Sequence, residues 1–173
     1  MIKIGFMDKS RAQELMPELF ELLYANMNEI DPAGEDHDSF KEEWLTELIP
    51  AVMKPARRIV LIEDEEKLIG YFQYYVNADT FMMEEIQFVK ERQGTGLFRE
   101  LYRFLRDAVP ADIEFAEAYA LNANLRSQAI LTHIGLEPIG ESANGRCIHY
   151  RGDCRAMFDR ILKQKTKIKP NKL

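Results

Sequence analysis

The sequence has very few of the residues that build metal centres and disulfide frameworks. Of its 173 residues, two are cysteines, Cys147 and Cys154, and three are histidines. Two thiols are too few for a disulfide scaffold or a four-thiolate zinc site, and no pair of histidines has the spacing of metal ligands. We therefore expect reduced thiols and no bound metal.

Long apolar runs, internal repeats and low-complexity segments are also missing from the sequence. No stretch is apolar for long enough to span a bilayer, and the N-terminal residues do not form a basic-then-apolar signal pattern. We therefore expect a cytoplasmic protein with no membrane partner. Hydrophobic residues make up 46% and charged residues 30% of the chain, which suits one globular domain with a real core.

The chain has no excess of positive charge, since its formal net charge is -6. A surface of this sign repels the phosphates of DNA and RNA, so we expect no nucleic-acid partner. The segment 163–173 differs because it carries five lysines and no acid. We expect a domain over residues 1–162 and a basic tail over 163–173, which is either a solvated end or a contact for an anionic partner.

The pattern of apolar residues and breakers predicts an α+β domain. Two capping boxes, Ser10–Gln13 and Ser39–Glu42, mark the starts of two helices. Runs rich in β-branched and aromatic residues predict strands, and apolar residues at helical spacing predict further helices. The predicted order is strand 3–7, helix 10–28, helix 39–52, strands 58–62, 68–76 and 81–89, helix 97–108, strand 113–121, helix 125–134, two short strands within 137–151, and helix 155–163. This order predicts a mixed sheet flanked by helices.

A short glycine loop, Gln93–Gly96, lies between the strand 81–89 and the next helix. Glycines at the mouth of a helix let the backbone approach an anion, and the free N–H groups and dipole of the first turn attract it. The loop has neither the third glycine of a dinucleotide fingerprint nor the Gly-Lys-Ser/Thr ending of a phosphate-binding Walker loop. Alone, it is explained equally well by a plain turn.

The segment from Ile86 to Phe98 resembles the acetyl-CoA signature of the GNAT superfamily of N-acetyltransferases, Arg/Gln-X-X-Gly-X-Gly/Ala after a central strand. Gln93 matches its first position and Gly96 its first glycine, whereas Phe98 departs from the final Gly/Ala. A register starting at Glu91 satisfies both glycines, but it places an acid where a pyrophosphate must sit, so we reject it.

A second segment, Asn124 to Leu136, is similar to the family's Asn-X-X-Ala-X-X-X-Tyr-X-X-X-Gly-Phe motif. Asn124 and Gly135 match this motif, and Ser127 and Leu136 nearly match it. The family's tyrosine, which protonates the leaving CoA thiolate, is replaced by Leu131. The resemblance covers most of the chain up to residue 151, and its two motifs occur in the expected order.

The resemblance implies a GNAT-like mixed, mostly antiparallel sheet in which the strand 81–89 splays away from the strand 113–121. The pantetheine arm of acetyl-CoA would lie in that gap. Its amides would pair with the backbone near Phe88 and Val89 in the way that an added β-strand does. Acetyl-CoA would be a co-substrate rather than a resident cofactor. The implied cofactor-binding residues are Phe88, Val89, Gln93, Gly94, Thr95, Gly96, Leu97, Phe98, Asn124 and Ser127.

The function implied by the resemblance is direct transfer of an acetyl group, through a ternary complex, to a primary amine of a small molecule or a protein. The amine must lose a proton to react, and we assign this step first to Glu84, with Glu85 as the reserve. Because successive strand residues face opposite sides of a sheet, we expect at most one of them in the acceptor cleft. The alternative for either residue is a solvated or ion-paired acid.

The general acid that protonates the leaving thiolate and the acceptor amine are less well defined. Tyr119, Tyr150 and Cys147 are conceivable substitutes for the missing tyrosine, and the thiolate can also leave with solvent help alone. An acidic rim around the connection of the first two helices would favour a cationic amine, unless it is simply a solvated loop. The acids of this rim are Glu29, Asp31, Glu35, Asp36, Asp38, Glu42, Glu43 and Glu47.

Two other functions remain open at this stage. A non-catalytic acyl-CoA-binding sensor or partner module is compatible with Leu131 and Phe98. A toxin that acetylates charged transfer RNA is disfavoured by the acidic balance of the chain. The sequence leaves the oligomeric state open, a homodimer included.

Overall fold

The computed structural model describes residues 1–32 and 36–163. Within these residues the strands are β1 (Ile2–Phe6), β2 (Arg57–Asp64), β3 (Lys67–Asn77), β4 (Thr80–Phe88), β5 (Phe115–Leu121), β6 (Glu137–Glu141) and β7 (Cys147–Asp153). The helices are α1 (Ala12–Ile30), α2 (His37–Val52), α3 (Leu97–Ala108), α4 (Leu125–His133) and α5 (Cys154–Lys163). Every predicted element is present. The described residues contain no helix long and apolar enough to span a membrane, and of the predicted tail only residue 163 is described.

The strands form one open sheet in the order β1-β2-β3-β4-β5-β7-β6. All neighbours are antiparallel except β4 and β5, which are parallel. The parallel pairing joins Thr80–Met83 to Phe115–Ala118 and goes no further, although both strands continue. The two strands therefore part after Met83, which confirms the predicted α+β fold with a splay at its centre.

The two faces of the sheet carry separate cores. On one face, α1 and α2 cover Ile59 and Tyr71; we call this the acceptor face. On the other face, α3, α4 and α5 pack over the strands, with the small side chains of β5 (Ala116, Ala118 and Ala120) beneath them. Because side chains alternate along a strand, the intervening residues of β5 lie on the acceptor face.

The starts of α1 and α2 differ from the predicted capping boxes. The carboxylate of Asp8 accepts the Ser10 N–H at 2.9 Å in a short 3-10 turn, and no side chain caps α1 itself. The carboxylate of Asp36 accepts the Ser39 N–H at 3.1 Å, so α2 begins at His37. In both places an aspartate two or three residues earlier supplies the acceptor expected from the serine. Gly135, just after α4, has a φ of 102°, the left-handed conformation that commonly ends a helix.

Candidate functional site

A β-bulge in β4 lies where the splay begins. The register of β3 and β4 shifts between Gln73, which pairs with Glu85, and Tyr74, which pairs with Met83. Glu84 is the extra residue, so it and Glu85 both contact groups on the acceptor face. The expectation that they face opposite sides is therefore wrong, because a bulge interrupts the alternation of side chains.

The carboxylate of Glu84 is engaged by neighbouring strands. Arg57 donates from Nε to Oε2 at 2.7 Å and from a terminal nitrogen to Oε1, and Gln73 donates from Nε2 to Oε2 at 2.9 Å. A bidentate guanidinium is among the strongest partners that a carboxylate finds in proteins. Glu84 thus has the contacts of an ion-paired acid, the alternative that the sequence left open for it.

Glu85 has a different environment, although it is the next residue. Burial raises the pKa of its carboxyl to about 7, and the nearby charge of Glu84 acts in the same direction, against hydrogen bonds from Gln87 and the backbone of Ile86. Gln87 donates from Nε2 at 2.6 Å, and its own Oε1 accepts Nδ2 of Asn26 at 2.7 Å. A chain of hydrogen bonds therefore connects Glu85 to α1.

Two buried polar atoms near Glu85 have no hydrogen-bond partner within the described ranges: the Tyr71 hydroxyl and Oε1 of Gln73. Gln73 is the cross-strand partner of Glu85. Burial, and then the charge of Glu85, raise the pKa of Tyr71 well above its usual value. Since buried polar atoms in native proteins are normally paired, this cluster of oxygens has room for a further donor.

The loop before α3 has the backbone of an anion site. Gly94 and Gly96 have φ values of 77° and 91°, which favour glycine, and a Cβ at either position would meet no atom within 4 Å. Gly96 is the N-cap of α3, and no side chain caps that end of the helix. Thr95 bonds back to the Arg92 carbonyl at 2.7 Å. The start of α3 can thus bind an anion through its first backbone N–H groups, although the Arg99 N–H donates to the Gly96 carbonyl at 3.0 Å.

The side chain of Gln93 connects this loop to α4 through hydrogen bonds. Its Nε2 donates to the Phe88 carbonyl at 3.2 Å, and its Oε1 accepts from Arg126 at 2.7 Å. The Phe88 carbonyl also accepts from Asn26 at 3.0 Å. Neither Arg126 nor Asn26 was predicted from the sequence. Arg126 lies inside the second quoted segment, but nothing in the sequence pairs it with Gln93.

The two backbone positions predicted to pair with pantetheine differ in direction. The Val89 N–H donates to the Ile69 carbonyl at 2.9 Å, so it faces β3. Because peptide groups alternate along an antiparallel strand, those of Phe88 face the open side, where its carbonyl meets Asn26 and Gln93. Gly70 allows the ring of Phe88 to lie close, since a Cβ there would be 2.6 Å from Phe88 Cδ1.

The remaining predicted residues occupy the two helices that border the gap. Asn124 caps α4 through a 3.0 Å hydrogen bond from the Ser127 N–H. Leu97 anchors the start of α3 in the core, and the ring of Phe98 packs on Tyr102 with 4.5 Å between centroids. Phe98 therefore fills the core beside α3. Leu131 is also in the core, 8% exposed.

A polar cluster lies across the gap, on the acceptor face of β5 and β7. Nε2 of His149 is 2.7 Å from Oε2 of Glu117, and Nε of Arg151 is 3.3 Å from Oε1 of the same carboxylate. The rings of Tyr119 and His149 stack with 4.3 Å between centroids and 12° between planes. Tyr150 points into the opposite core and is 4% exposed.

Several acids of the predicted rim have local partners. Glu29 pairs with Lys90 at 2.9 Å, Asp38 contacts His37 at 2.8 Å, and Asp36 caps α2. Glu35 lies outside the described residues. Asp31 lines a shallow pocket of 240 Å³ at the end of β5. Another pocket, of 370 Å³, lies on α2 and is lined by Ser39, Glu42, Glu43, Thr46 and Glu47.

No group of three or more His, Cys, Asp or Glu side chains within residues 1–32 and 36–163 is arranged to hold a metal ion. Cys147 and Cys154 are free thiols in the structure.

The model of the Acetyltransferase (GNAT) family matches residues 16–135 of the chain. No match to the sequence was found among curated proteins.

The fold is similar to many solved structures. An acetyltransferase from Thermus thermophilus is 16% identical with a TM-score of 0.68, over 88% of this chain and 97% of that one. The PaiA N-acetyltransferase of Thermoplasma acidophilum, solved with coenzyme A, is 14% identical with a TM-score of 0.63, over 88% and 99%. Mutant forms of the Vibrio cholerae spermidine/spermine N-acetyltransferase are 17% identical with a TM-score of 0.58, over 92% and 99%.

Proposed function

The chain belongs to the GNAT family of acetyltransferases, and on this premise we propose that it transfers the acetyl group of acetyl-CoA directly to a primary amine of a small molecule or a protein. The observation that carries the proposal is the gap that opens between β4 and β5 after Met83. An anion-binding helix end lies on one side of this gap, and a carboxyl with a pKa of about 7 lies where it begins.

In this proposal, the pyrophosphate of acetyl-CoA binds at Gly94–Phe98, on the first-turn N–H groups of α3. The pantetheine arm lies in the gap beside the peptide groups of Phe88, which turn away from β3. Asn124 offers its side-chain amide from α4, with Ser127 in the same turn. Arg126 and Gln93 give up the hydrogen bond between them and contact the cofactor instead. The structure of a family member in complex with coenzyme A supports the choice of ligand.

We assign the proton acceptor to Glu85 instead of Glu84, which the sequence had ranked first. A base must offer a lone pair and must have a pKa near the working pH. Glu85 meets the second condition with a pKa of about 7, whereas three hydrogen bonds from Arg57 and Gln73 engage the carboxylate of Glu84.

The oxygens without partners beside Glu85 support this assignment. Gln73 Oε1 can only accept a hydrogen bond, and the Tyr71 hydroxyl can accept one. An acceptor amine, or a water that relays its proton, supplies the missing N–H or O–H donors. The nitrogen then attacks the thioester carbonyl while Glu85 takes up the proton, and the amide and the CoA thiol are the products.

For the acceptor, we propose a cationic amine. Glu42, Glu43 and Glu47 line a pocket on α2, and Asp31 lines another at the end of β5, where Arg146 also lies. Negative potential of this kind concentrates cations. A neighbour that is named for spermidine and spermine has the same fold.

The second candidate function is a non-catalytic module that binds acyl-CoA. The observation in its favour is Leu131, which is buried where the family's acid would stand. The two functions are separated by measuring thiol release from acetyl-CoA against a panel of polyamines, aminoglycosides, amino acids and peptide amines. We expect release with at least one amine. A protein that is saturated by acetyl-CoA and releases no thiol above background with any of them is the module.

A further inference from the structure

We propose that Tyr119 is the general acid that protonates the departing CoA thiolate, and that His149 positions its ring. The inference rests on the proposed acetyl transfer and assigns a residue to the step for which the family's usual tyrosine is missing. Leu131 occupies that position and has no proton to give. The structure separates the three substitutes that the sequence left open.

The register of β5 places Tyr119 at the entrance of the gap. Parallel pairing with β4 ends at Met83 and Ala118, so Tyr119 is the first residue of β5 beyond it. Ala118 and Ala120 are buried under the helices of the opposite face. Tyr119 therefore lies on the acceptor face, on the wall of the gap that faces Glu84 and Glu85.

The ring of Tyr119 is positioned by side chains of β5 and β7. His149, its cross-strand partner on β7, stacks on one ring face, and Glu117 fixes the imidazole at Nε2. Because β7 lies on the far side of β5, the other ring face is turned to the gap. Tyr119 is 45% exposed, so water can return a proton to its hydroxyl after each turnover.

The other two candidates are less well placed. Tyr150 is one residue away from His149, but alternation turns it into the core, where it is 4% exposed. Cys147 pairs with Leu121, two residues further along β5 from the point where the gap opens. Tyr119 alone among the three combines exposure with a position next to that point.

In the proposed step the neutral amine is the nucleophile. The amine nitrogen forms a bond to the thioester carbon, and its proton passes to Glu85. Collapse of the tetrahedral intermediate breaks the C–S bond, and sulfur keeps the electron pair. The phenolic proton of Tyr119 moves to sulfur; the phenolate then regains a proton from water, and Glu85 releases to water the proton that it took up. Amide and thiol are the net products.

The test compares Tyr119→Phe with the matched variant Tyr150→Phe, using acetyl-CoA and the amine most active with the wild-type protein. Loss of a general acid should lower kcat by about 10-fold or more and leave the KM for acetyl-CoA unchanged. Tyr150→Phe should keep the wild-type kcat.

The charged and titratable groups near Tyr119 are Glu117 on its own strand, His149 and Arg151 on β7, and Tyr75 on β3, which in turn lies near Glu84 and Arg57. A second comparison isolates the role of His149 from these neighbours. His149→Ala should lower kcat in the wild-type background and have no further effect in the Tyr119→Phe background, because a positioning residue acts only through the group it positions.

Wild-type kcat in Tyr119→Phe would overturn the inference and leave the proposed transfer standing. An equal loss in Tyr119→Phe and Tyr150→Phe would also overturn it, because it would reflect packing. If the wild-type protein transfers no acetyl group to any amine, both the inference and the proposed function fail.

Discussion

Glu84 and Glu85 have identical side chains on adjacent residues, yet their surroundings give them opposite properties. Arg57 and Gln73 bind the carboxylate of Glu84, while Glu85 loses water and gains only Gln87 and a backbone N–H. The first arrangement holds a negative charge in place and the second makes the charge costly. A proton-transfer role therefore fits the second residue.

Replacing Glu85 with glutamine removes the proposed base. The wild-type kcat/KM should rise with pH through about 7, because the carboxyl must be ionised to take a proton. Glu85→Gln should lack this rise and should be slower at neutral pH by about 10²-fold or more. Initial rates across the neutral range check this.

Glu84→Gln is the matched control for this measurement. It should be less stable, because Arg57 loses its partner, but it should keep the rise of kcat/KM through pH 7. The opposite result, with the rise lost in Glu84→Gln and kept in Glu85→Gln, would transfer the base to Glu84.

Glu85→Gln should also change how the stability of the fold depends on pH. The pKa of Glu85 is raised from 4.5 to about 7, so the folded protein binds this proton more tightly than the unfolded chain. The stabilisation that this bound proton gives to the fold is complete below pH 4.5 and is lost as the pH rises through 7. At about 1.4 kcal/mol per pKa unit, the ionised group destabilises the fold by about 3 kcal/mol.

Glu85→Gln should therefore unfold at a higher temperature than wild type at pH 8, and this advantage should shrink towards pH 5. Thermal unfolding at the two pH values checks the prediction. An advantage that is the same at both pH values would show that the carboxyl of Glu85 is not desolvated.

At the scale of elements, the glycine loop joins β4 to α3 and carries the proposed anion site. CoA at 100 times its Kd should stabilise the fold by about 2.7 kcal/mol. Gly96→Glu should abolish this gain, because it adds negative charge at the helix end. Gly96→Ala has the same backbone strain at a φ of 91° and open space for its methyl group, so it should keep most of the gain. Loss of the gain in both variants would implicate the backbone, and its retention in Gly96→Glu would place CoA elsewhere.

The pairing of β3 with β4 depends on the absence of a side chain at Gly70. A Cβ there would lie 2.6 Å from Phe88 Cδ1 and 2.8 Å from the Gln87 carbonyl oxygen. Gly70→Ala should reduce the free energy of unfolding by about 1–3 kcal/mol and weaken CoA binding, because Phe88 borders the gap. Gly5→Ala in β1 is the control, since a Cβ there meets nothing within 4 Å. Denaturant unfolding that gives equal values for the two variants would contradict this account.

Elements and their order were predictable because hydrophobic periodicity and turn residues act locally. Helix starts were less so, because Asp8 and Asp36 compete with nearby serines as caps. The bulge at Glu84 could not be predicted, since it arises from the register between two strands and leaves no local mark. That register decides which acid is ion-paired and which is desolvated, so the choice of base needed the tertiary structure.

At the scale of the whole molecule, the two cores have different tasks. The core under α3, α4 and α5 holds β4 and β5 together up to Met83 and fixes the helix end that would bind the pyrophosphate. On the acceptor face, α1 packs against β4 and α2 against β2, and β5 and β7 present Glu117, Tyr119 and His149. The gap between the central strands connects the two faces, so a cofactor held on one side can meet an amine on the other.

The central claim is that the acetyl group passes directly from CoA to an amine in this gap. The most direct test is an initial-rate experiment in which acetyl-CoA and an active amine are both varied, with thiol release and acetylated amine measured together. We predict one thiol for each amine acetylated and double-reciprocal lines that intersect, as a ternary complex requires. Parallel lines with an acetylated enzyme, or saturation by acetyl-CoA without any acetylated amine, would contradict the claim.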